Sequence, residues 1–261
     1  MIFKEDEKIG YVRQRWSFFE AAESFAMEGE SEPSSYGKDC EAKTYEEALD
    51  LPMKHVLAEA DQPTIDVCFI ERGLGSMVAT SSDSETVEVG HIGREGMTGE
   101  HIVMGTDMTP HRTFMQVAGA GYLMPASALM EILNSDLVPR LLLLRYVHCC
   151  ALQLSHTALS NARYNVYERL ARWLLMVHDR IDGDDLPLTH EFLGIMLGVR
   201  RSGVTDQIHL LEGVHAIKAT RGNIKVLDRE KLREIASGCY GVPEREYERL
   251  VGMPIIANRR D

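Results

Sequence analysis

One group of polar residues between Leu188 and Gly213 has the types and the spacing to read DNA bases. The segment, LTHEFLGIMLGVRRSGVTDQIHLLEG, contains two short runs with helical apolar periodicity, separated by Gly198. In the second run the polar residues fall on the face opposite Val204, Ile208 and Leu211: Arg200, Arg201, Ser202, Thr205 and Asp206. Arginine can donate to O6 and N7 of guanine, and aspartate can accept from N4 of cytosine. The pattern predicts a helix-turn-helix whose second helix contacts base edges.

The residues around this face are those expected at helix ends. Thr189 is a favourable N-cap for the first helix. Gly198 can adopt the left-handed conformation that ends that helix. Phe192, Leu193 and Met196 lie between them on one apolar face. These features favour two helices that pack together through their apolar faces.

A second group of residues suits contact with DNA phosphates. After the two helices, HAIKAT and IKVLD flank an Arg-Gly-Asn turn, which predicts a β-hairpin wing. The expected phosphate contacts are Lys218, Arg221 and Lys225 on the wing, with Thr189 and His190 at the first helix. The alternative is a solvated hairpin and an ordinary first-turn histidine.

The acidity of the chain is concentrated away from these residues. The net charge is −12, but residues 1–66 hold 7 Lys and Arg against 16 Asp and Glu. Residues 186–227 hold 5 basic and 3 acidic residues. Because cations supply the affinity for the DNA backbone, five per subunit predict modest, salt-sensitive binding that needs a dimer.

The rest of the chain divides into regions that differ in composition and hydrophobic pattern. Residues 1–50 are acidic and rich in turn residues, and we expect an irregular segment there. From Leu51 to about Pro125, five short β-type runs predict a small antiparallel barrel or roll: IDVCFIE, GSMVATS, TVEVGHI, RTFMQVAG and GYLMP. Gly93–Gly96 reads as a turn between strands.

Helical patterns follow the β-type region. After ASALMEILNSD, one very long helix is expected from Pro139 to about Ile181. Its residues at spacings of three and four form a coiled-coil seam: Leu144, Val147, Ala151, Leu154, Ala158 and Asn161. The seam predicts a homodimer, and the alternative is that this stripe packs on the preceding β-type region.

The order of these parts resembles that of the Crp/Fnr family of bacterial transcription factors. The phrases VGHIGREGMTGE and YERLARWLLMVHDRI…LPLTHEFLGIMLGVRRSGVT carry the resemblance, which covers about Leu51 to Leu250. It implies an α+β fold of three parts after the segment 1–50. They are a cyclic-nucleotide-binding-like β-roll at 51–137, a dimerisation helix at 138–165 and a winged helix-turn-helix at 166–261.

The resemblance implies gene control by a homodimer in the bacterial cytoplasm. Double-stranded DNA would be its partner, and RNA polymerase a further one. The alternative is a protein-binding dimer of the same fold with weakened DNA binding, which acts on a partner regulator. The acidic N-terminal part, with Trp16, Phe18 and Phe19 among glutamates, would then be the binding surface.

An effector site is also implied, because cyclic-nucleotide members of the family have a Gly-Glu pair followed by Arg-Ser/Thr-Ala. Gly99 and Glu100, then Arg112 and Thr113, stand in those places. Arg112 would pair the phosphate and Glu100 would accept from the ribose hydroxyl. Phe114 departs from the pattern, so three outcomes stay open: a cyclic nucleotide, another effector, or a ligand-free roll.

The predicted reading helix departs from better-known members of the family. Arg201 keeps the first arginine, but Ser202 and Asp206 occupy the other two reading positions. Gly203 costs about 1 kcal/mol relative to alanine, so we expect the helix to become firm on DNA. The usual half-site of the family is therefore not the expected target.

Other chemistry finds little support in the sequence. Nucleotide-binding, zinc-protease and serine-hydrolase motifs are absent, which argues against an enzyme. The five cysteines form no CxxC pair and are expected as free thiols, without a metal or an iron-sulfur centre. Haem ligation by a histidine is a further alternative, with these candidates: His91, His101, His111 and His148. No long apolar run predicts a membrane span.

Overall fold

The computed structural model describes residues 48–252 and 254–255. The expectations for the acidic segment, including its aromatic residues and Cys40, fall almost entirely outside the described residues. The described part has a sheet followed by helices and a second, smaller sheet.

The N-terminal sheet is antiparallel and has five strands. Its strands are β1 (Leu49–Leu51), β2 (Val56–Ala58), β3 (Asp66–Thr80), β4 (Thr86–Ile92) and β5 (Arg112–Pro125). The order is β1-β5-β3-β4, and β2 pairs with β5 as well. An antiparallel sheet was expected here, and the structure confirms the β-roll class.

The division of this sheet into short strands was wrong. IDVCFIE and GSMVATS belong to one strand, β3, while RTFMQVAG and GYLMP both lie in β5. Gly73, with φ +91°, and Gly119 meet where the strand register shifts. A Cβ on Gly73 would lie 2.7 Å from Val117 O, so a side chain there would clash. The glycines thus mark bulges inside two long strands rather than turns between short ones.

The helices and the second sheet follow in chain order. A short helix, α1 (Glu100–Val103), lies between β4 and β5, and α2 (Ala126–Ser135), α3 (Leu137–Arg163) and α4 (Val166–Arg180) follow β5. The C-terminal part contains β6 (Asp185–Leu186), α5 (His190–Leu197), α6 (Arg201–Gly213), β7 (Ile217–Thr220), β8 (Asn223–Val226), α7 (Arg229–Ala236) and α8 (Val242–Val251).

The expected single long helix is in fact two helices, α3 and α4. Asn165 ends the continuity because its side chain accepts from the backbone N–H of Glu168. The Glu168 side chain accepts in turn from the backbone N–H of Asn165 at 2.8 Å. This capping box starts a new helix. Apolar periodicity continues across the break, which is why the pattern alone suggested one helix.

The two parts of the chain share their cores. Leu74 and Val117 of the N-terminal sheet belong to the same buried cluster as Leu174 of α4 and Leu211 of α6. A second cluster joins α2 and α3 to Tyr247 of α8. The last helix therefore packs on the N-terminal part, although it follows the helix-turn-helix in the chain.

The helices of residues 48–252 are short or polar by the standard of a membrane span. No single helix among them is long and apolar enough to cross a membrane. The pair Ala126–Ser135 and Pro139–Arg163 passes the length and composition criteria together, with a bend of 117° between them.

Candidate DNA interface

The helix-turn-helix forms as the sequence predicts. Thr189 caps α5 by accepting from Phe192 N at 3.2 Å, and Gly198 ends it with φ 60° and ψ 38°. The apolar residues expected to pack do so: Leu193, Met196, Val204, Ile208 and Leu211 are buried. Phe192 meets Phe114 of β5 edge to face at 6.4 Å, so α5 also contacts the N-terminal sheet.

The polar face of α6 is exposed, with one exception. Arg200, Arg201, Ser202 and Asp206 are solvent-exposed. Thr205 is half-buried, and its hydroxyl donates to Arg201 O at 3.1 Å while it contacts His190 Nδ1 at 3.1 Å. Because these contacts occupy the hydroxyl, Thr205 offers its methyl group rather than a polar atom to a base.

His190 lies beside α6 at the start of α5. Burial lowers its pKa below the ordinary histidine value, and the nearby Arg201 and His209 lower it further. With Nδ1 against Thr205, Nε2 is the atom that remains to meet a phosphate. This placement fits the phosphate contact expected from the sequence.

His209 shares the exposed face of α6 and was missed in the sequence. Its side chain is 70 % exposed, one turn beyond Asp206 and 3.4 Å from Glu212. The signal was present, because positions 202, 206 and 209 follow the helical spacing of three and four. We add His209 to the candidate base-facing residues.

The wing is a hairpin extended by a third strand. Lys218 and Lys225 face each other across β7 and β8, and Arg221 lies in the turn before Gly222, whose φ is +76°. All three cations are exposed. Unexpectedly, β6 pairs with β8 and brings Asp185 Oδ2 within 4.0 Å of Lys225 Nζ. Lys218 is therefore the less neutralised of the two lysines.

The turn Gly93–Gly96, which we call the GREG turn, connects the N-terminal sheet to the C-terminal part. The Glu95 carboxylate accepts from Arg180 Nε of α4 at 2.7 Å, with both side chains almost fully buried. Arg94 donates to Asp182 at 2.7 Å. Tyr247 of α8 donates to Glu95 O. Three elements of the C-terminal part are thus attached to one turn.

The expected seam of α3 lies on the surface of the described chain. Leu144 and Leu154 are 41 % and 47 % exposed, and Leu137 and Leu141 continue the exposed stripe. The packed face of α3 is a different one, formed by Leu143, Tyr146 and Cys149. The alternative in which the seam packs on the N-terminal sheet is therefore wrong.

The four expected effector residues lie in two places along β3. Gly99 and Glu100 start α1, where a Cβ on Gly99 would touch Val67 near the first end of β3. Arg112 pairs with Val78 near the other end of β3 and binds Glu59 at 3.1 Å. Thr113, the next residue, is buried.

The surroundings of Glu100 favour the protonated carboxyl. Burial raises its pKa above the ordinary glutamate value, and its own backbone hydrogen bond lowers it only in part. The geometry therefore gives no support for one ligand bound by both Glu100 and Arg112.

The cysteines, histidines and carboxylates of the described residues are scattered. No group of three or more His, Cys, Asp or Glu in that part of the chain could hold a metal ion. Cys68, Cys149, Cys150 and Cys239 are free thiols. Burial raises the pKa of Cys68 to about 12 and that of Cys149 to about 11, so both thiols stay protonated at neutral pH.

The fold and the exposed helix α6, with a hairpin beside it, define a winged helix-turn-helix protein of the DNA-binding class. The family model of the Crp-like helix-turn-helix domain matches residues 168–235. Among curated proteins, none matches the sequence.

Solved structures with a similar fold include transcriptional regulators of the Crp/Fnr family. FixK2 from Bradyrhizobium japonicum is 15% identical, covers 74% of this chain and 98% of its own, and has a TM-score of 0.59. A crp/fnr-family regulator from Eubacterium rectale is 14% identical, covers 73% and 89%, and has a TM-score of 0.58. TTHA1359 from Thermus thermophilus is 19% identical, covers 73% and 98%, and has a TM-score of 0.53.

At these identities the structural likeness establishes the fold, and the domain match establishes the type of helix-turn-helix. The domain match is confined to residues 168–235, where the chain contains a Crp-like helix-turn-helix domain. The fold of the described chain is similar to that of solved Crp/Fnr-family regulators.

Proposed function

We propose that this chain is a Crp/Fnr-type transcriptional regulator that binds double-stranded DNA as a homodimer and reads a specific sequence with α6. The observation that carries the proposal is the division of α6 into two faces. Val204, Ile208 and Leu211 anchor one face in the core, while the other presents Arg201, Ser202 and Asp206 to solvent. A helix fixed in this way can enter the major groove without losing its packing.

Charge around α6 supports the same assignment. The exposed cations of the interface lie at the start of α6 and on the wing: Arg200, Arg201, Lys218, Arg221 and Lys225. Asp206 makes the centre of the reading face less basic, so a duplex would be held mainly from the two sides. In this arrangement the wing and His190 contact phosphates, and α6 selects the bases.

The composition of the reading face points to an unusual target. Arg201 is suited to guanine, and Asp206 can accept from a cytosine amino group. The Ser202 hydroxyl can donate or accept a hydrogen bond, so it has little preference for one base. We propose a half-site with a G·C pair opposite Arg201, different from that of relatives with a Glu in place of Ser202.

Dimerisation is proposed through α3. Its exposed stripe has the coiled-coil spacing and includes Leu144 and Leu154, which a second copy would cover. Two copies double the number of phosphate contacts, which five cations per subunit require for useful affinity. The domain limits follow: a roll at 51–137, a dimerisation helix at 138–165 and a DNA-binding domain at 166–261.

We propose a cytoplasmic site of action, where bacterial DNA and RNA polymerase are found, with the polymerase as a further partner.

Selection of bound duplexes from a random pool, followed by titration of the selected site, tests this proposal. We expect a two-fold symmetric site with a conserved G·C pair in each half. Arg201→Ala should lose that preference, while Arg233→Ala, an exposed arginine on α7, should keep it. Failure of the full chain to retain any duplex at low salt would instead favour the protein-binding alternative.

A further inference from the structure

A small polar cavity lies where β4, α3, α4 and α5 meet. Its volume is about 20 Å3, close to that of one water molecule or a small ion. Two guanidinium groups line it, those of Arg169 and Arg172 on α4, and neutral polar groups from α3 complete it, including Thr157 and Ser160. It joins the N-terminal sheet, the long helix and the helix-turn-helix at one point.

The two arginines of the cavity lack carboxylate partners. In residues 48–252 and 254–255 no carboxylate oxygen lies within 4.0 Å of either guanidinium. Arg172 is only 5 % exposed, and its hydrogen bond goes to the neutral hydroxyl of Thr157 at 3.2 Å. The buried Nε of Arg169 has no hydrogen-bond partner in the described part of the chain. A buried cation without a counter-charge is costly, so the arrangement is suited to an anion.

The acidic residue in the wall of the cavity is already engaged. Glu88 accepts from Ser76 Oγ at 2.5 Å and from Trp173 Nε1 at 3.0 Å, and it contacts His91 Nε2 at 2.5 Å. These three contacts hold the Glu88 carboxylate on the far side of the cavity from a direct ion pair, although its charge still attracts Arg172. Glu244 attracts Arg172 from beyond ion-pair distance, yet burial still lowers the pKa of Arg172 below its ordinary value.

We propose that this cavity binds one small inorganic anion, of chloride or nitrate size, between Arg169 and Arg172. The free Nε–H of Arg169 and the remaining N–H groups of Arg172 donate to the anion. The volume excludes a nucleotide, so this site is different from the expected cyclic-nucleotide pocket. Its test requires no DNA.

Occupancy of the site bears on the helix-turn-helix. Arg169 Nη2 donates at 2.6 Å to Leu197 O, at the last residue of α5. Gly198, which forms the turn into α6, follows directly. An anion that holds the Arg169 side chain therefore also fixes the carbonyl end of α5, next to the turn that orients α6.

Trp173 provides a direct readout, because it lines the cavity and the chain has only one other tryptophan, Trp16. In full-length Trp16→Phe protein, Trp173 emission is titrated with sodium chloride and sodium nitrate at constant ionic strength. Sodium gluconate, whose anion is too large for the cavity, maintains that ionic strength. We expect a saturable change with chloride or nitrate, as distinct from the linear response of collisional quenching.

The matched variants are Arg169→Gln and Arg233→Gln. Losing a charged donor should weaken anion binding about tenfold or more in the first, while the second should bind as the parent does. The line width of chloride-35 resonances in the parent protein, and its reversal by nitrate, gives a second measure that needs no variant. A linear emission response together with an unbroadened chloride line would overturn the proposal and leave the cavity to water.

Discussion

Glu95 and Arg180 form a buried ion pair, 2.7 Å between Oε1 and Nε, that joins the GREG turn to the end of α4. The Glu95 side chain is 5 % exposed and that of Arg180 is 2 % exposed. Burial alone would lower the pKa of Arg180, but Glu95 and Asp179 raise it above its ordinary value. Arg180 therefore stays charged, and its charge depends on Glu95 for compensation.

Replacing Glu95 should consequently destabilise the protein strongly. Glu95→Gln leaves the Arg180 charge buried with less compensation, and breaking a buried pair in this way costs about 3–5 kcal/mol. Urea unfolding of the full chain measures the effect. Glu230→Gln, which removes an exposed partner of Arg233, should cost at most about 1 kcal/mol. Equal losses in the two variants would contradict the importance of burial here.

Substitutions in α6 should change sequence-specific binding, whereas substitutions in the wing should change binding to all duplexes. Arg201→Ala should weaken the cognate site by about 1–3 kcal/mol and relax discrimination at one base pair, because it removes a base contact. Lys218→Ala should weaken all duplexes about equally and reduce the salt dependence. Binding titrations on cognate and scrambled duplexes at several salt concentrations measure both. Equal loss for Arg201→Ala on the two duplexes would refute a base-reading role.

Binding should strengthen as the pH falls towards 6, through His190. The pKa of His190 is lowered in the free protein, so the ring is neutral at pH 7. A neighbouring phosphate raises that pKa, so the complex takes up a proton and lower pH favours it. Dissociation constants at about pH 6 and about pH 7.5, on either side of the ordinary value of about 6.5, test this.

His190→Gln should remove most of this pH dependence. His215→Asn, at an exposed position with φ 57°, should preserve it, because asparagine tolerates that conformation. If both variants keep the pH dependence of the parent, the proton is taken up elsewhere.

Gly203 should show a conflict between stability and DNA binding. A Cβ at this position meets no atom within 4 Å, so Gly203→Ala should stabilise the chain by about 1 kcal/mol. If DNA approaches the start of α6 closely, the same methyl group weakens binding. Gly213→Ala, equally unhindered at the other end of α6, is the control that should leave affinity unchanged. Thermal unfolding and duplex titration together distinguish the two effects.

Charge on the exposed stripe of α3 should disrupt the proposed dimer. A Leu144→Glu, Leu154→Glu double variant places four carboxylates in the interface of two copies, and we expect monomers in sedimentation equilibrium. Leu227→Glu changes a leucine of similar exposure outside α3 and should remain dimeric. A parent protein that is monomeric at micromolar concentration would contradict the dimer directly.

The sequence predicts most of the DNA interface because local signals determine it. The cap at Thr189, the left-handed Gly198 and the spacing of Val204, Ile208 and Leu211 each depend on neighbours in the chain. The structure departs from the predictions where residues distant in sequence are in contact. Gly73 marks a bulge because Val117 approaches it, and β6 joins the wing through pairing with β8.

The expected effector site also depends on contacts between residues that are distant in sequence. Gly99 with Glu100 and Arg112 with Thr113 matched a family pattern, but the length of β3 separates the two pairs. The cavity beside Arg172 was not predicted because β4, α3, α4 and α5 must all fold to form it. Periodicity reports which face is buried, but it does not report which charged side chains meet there.

The contact of Tyr247 with Glu95 bears on how the chain is assembled during translation. These two residues are 152 positions apart. At a synthesis rate of about 5–20 residues per second, α8 is completed about 8–30 s after the turn that it contacts. The N-terminal sheet is thus synthesised well before the helix that packs on the GREG turn. The final arrangement of the two therefore waits for the synthesis of α8.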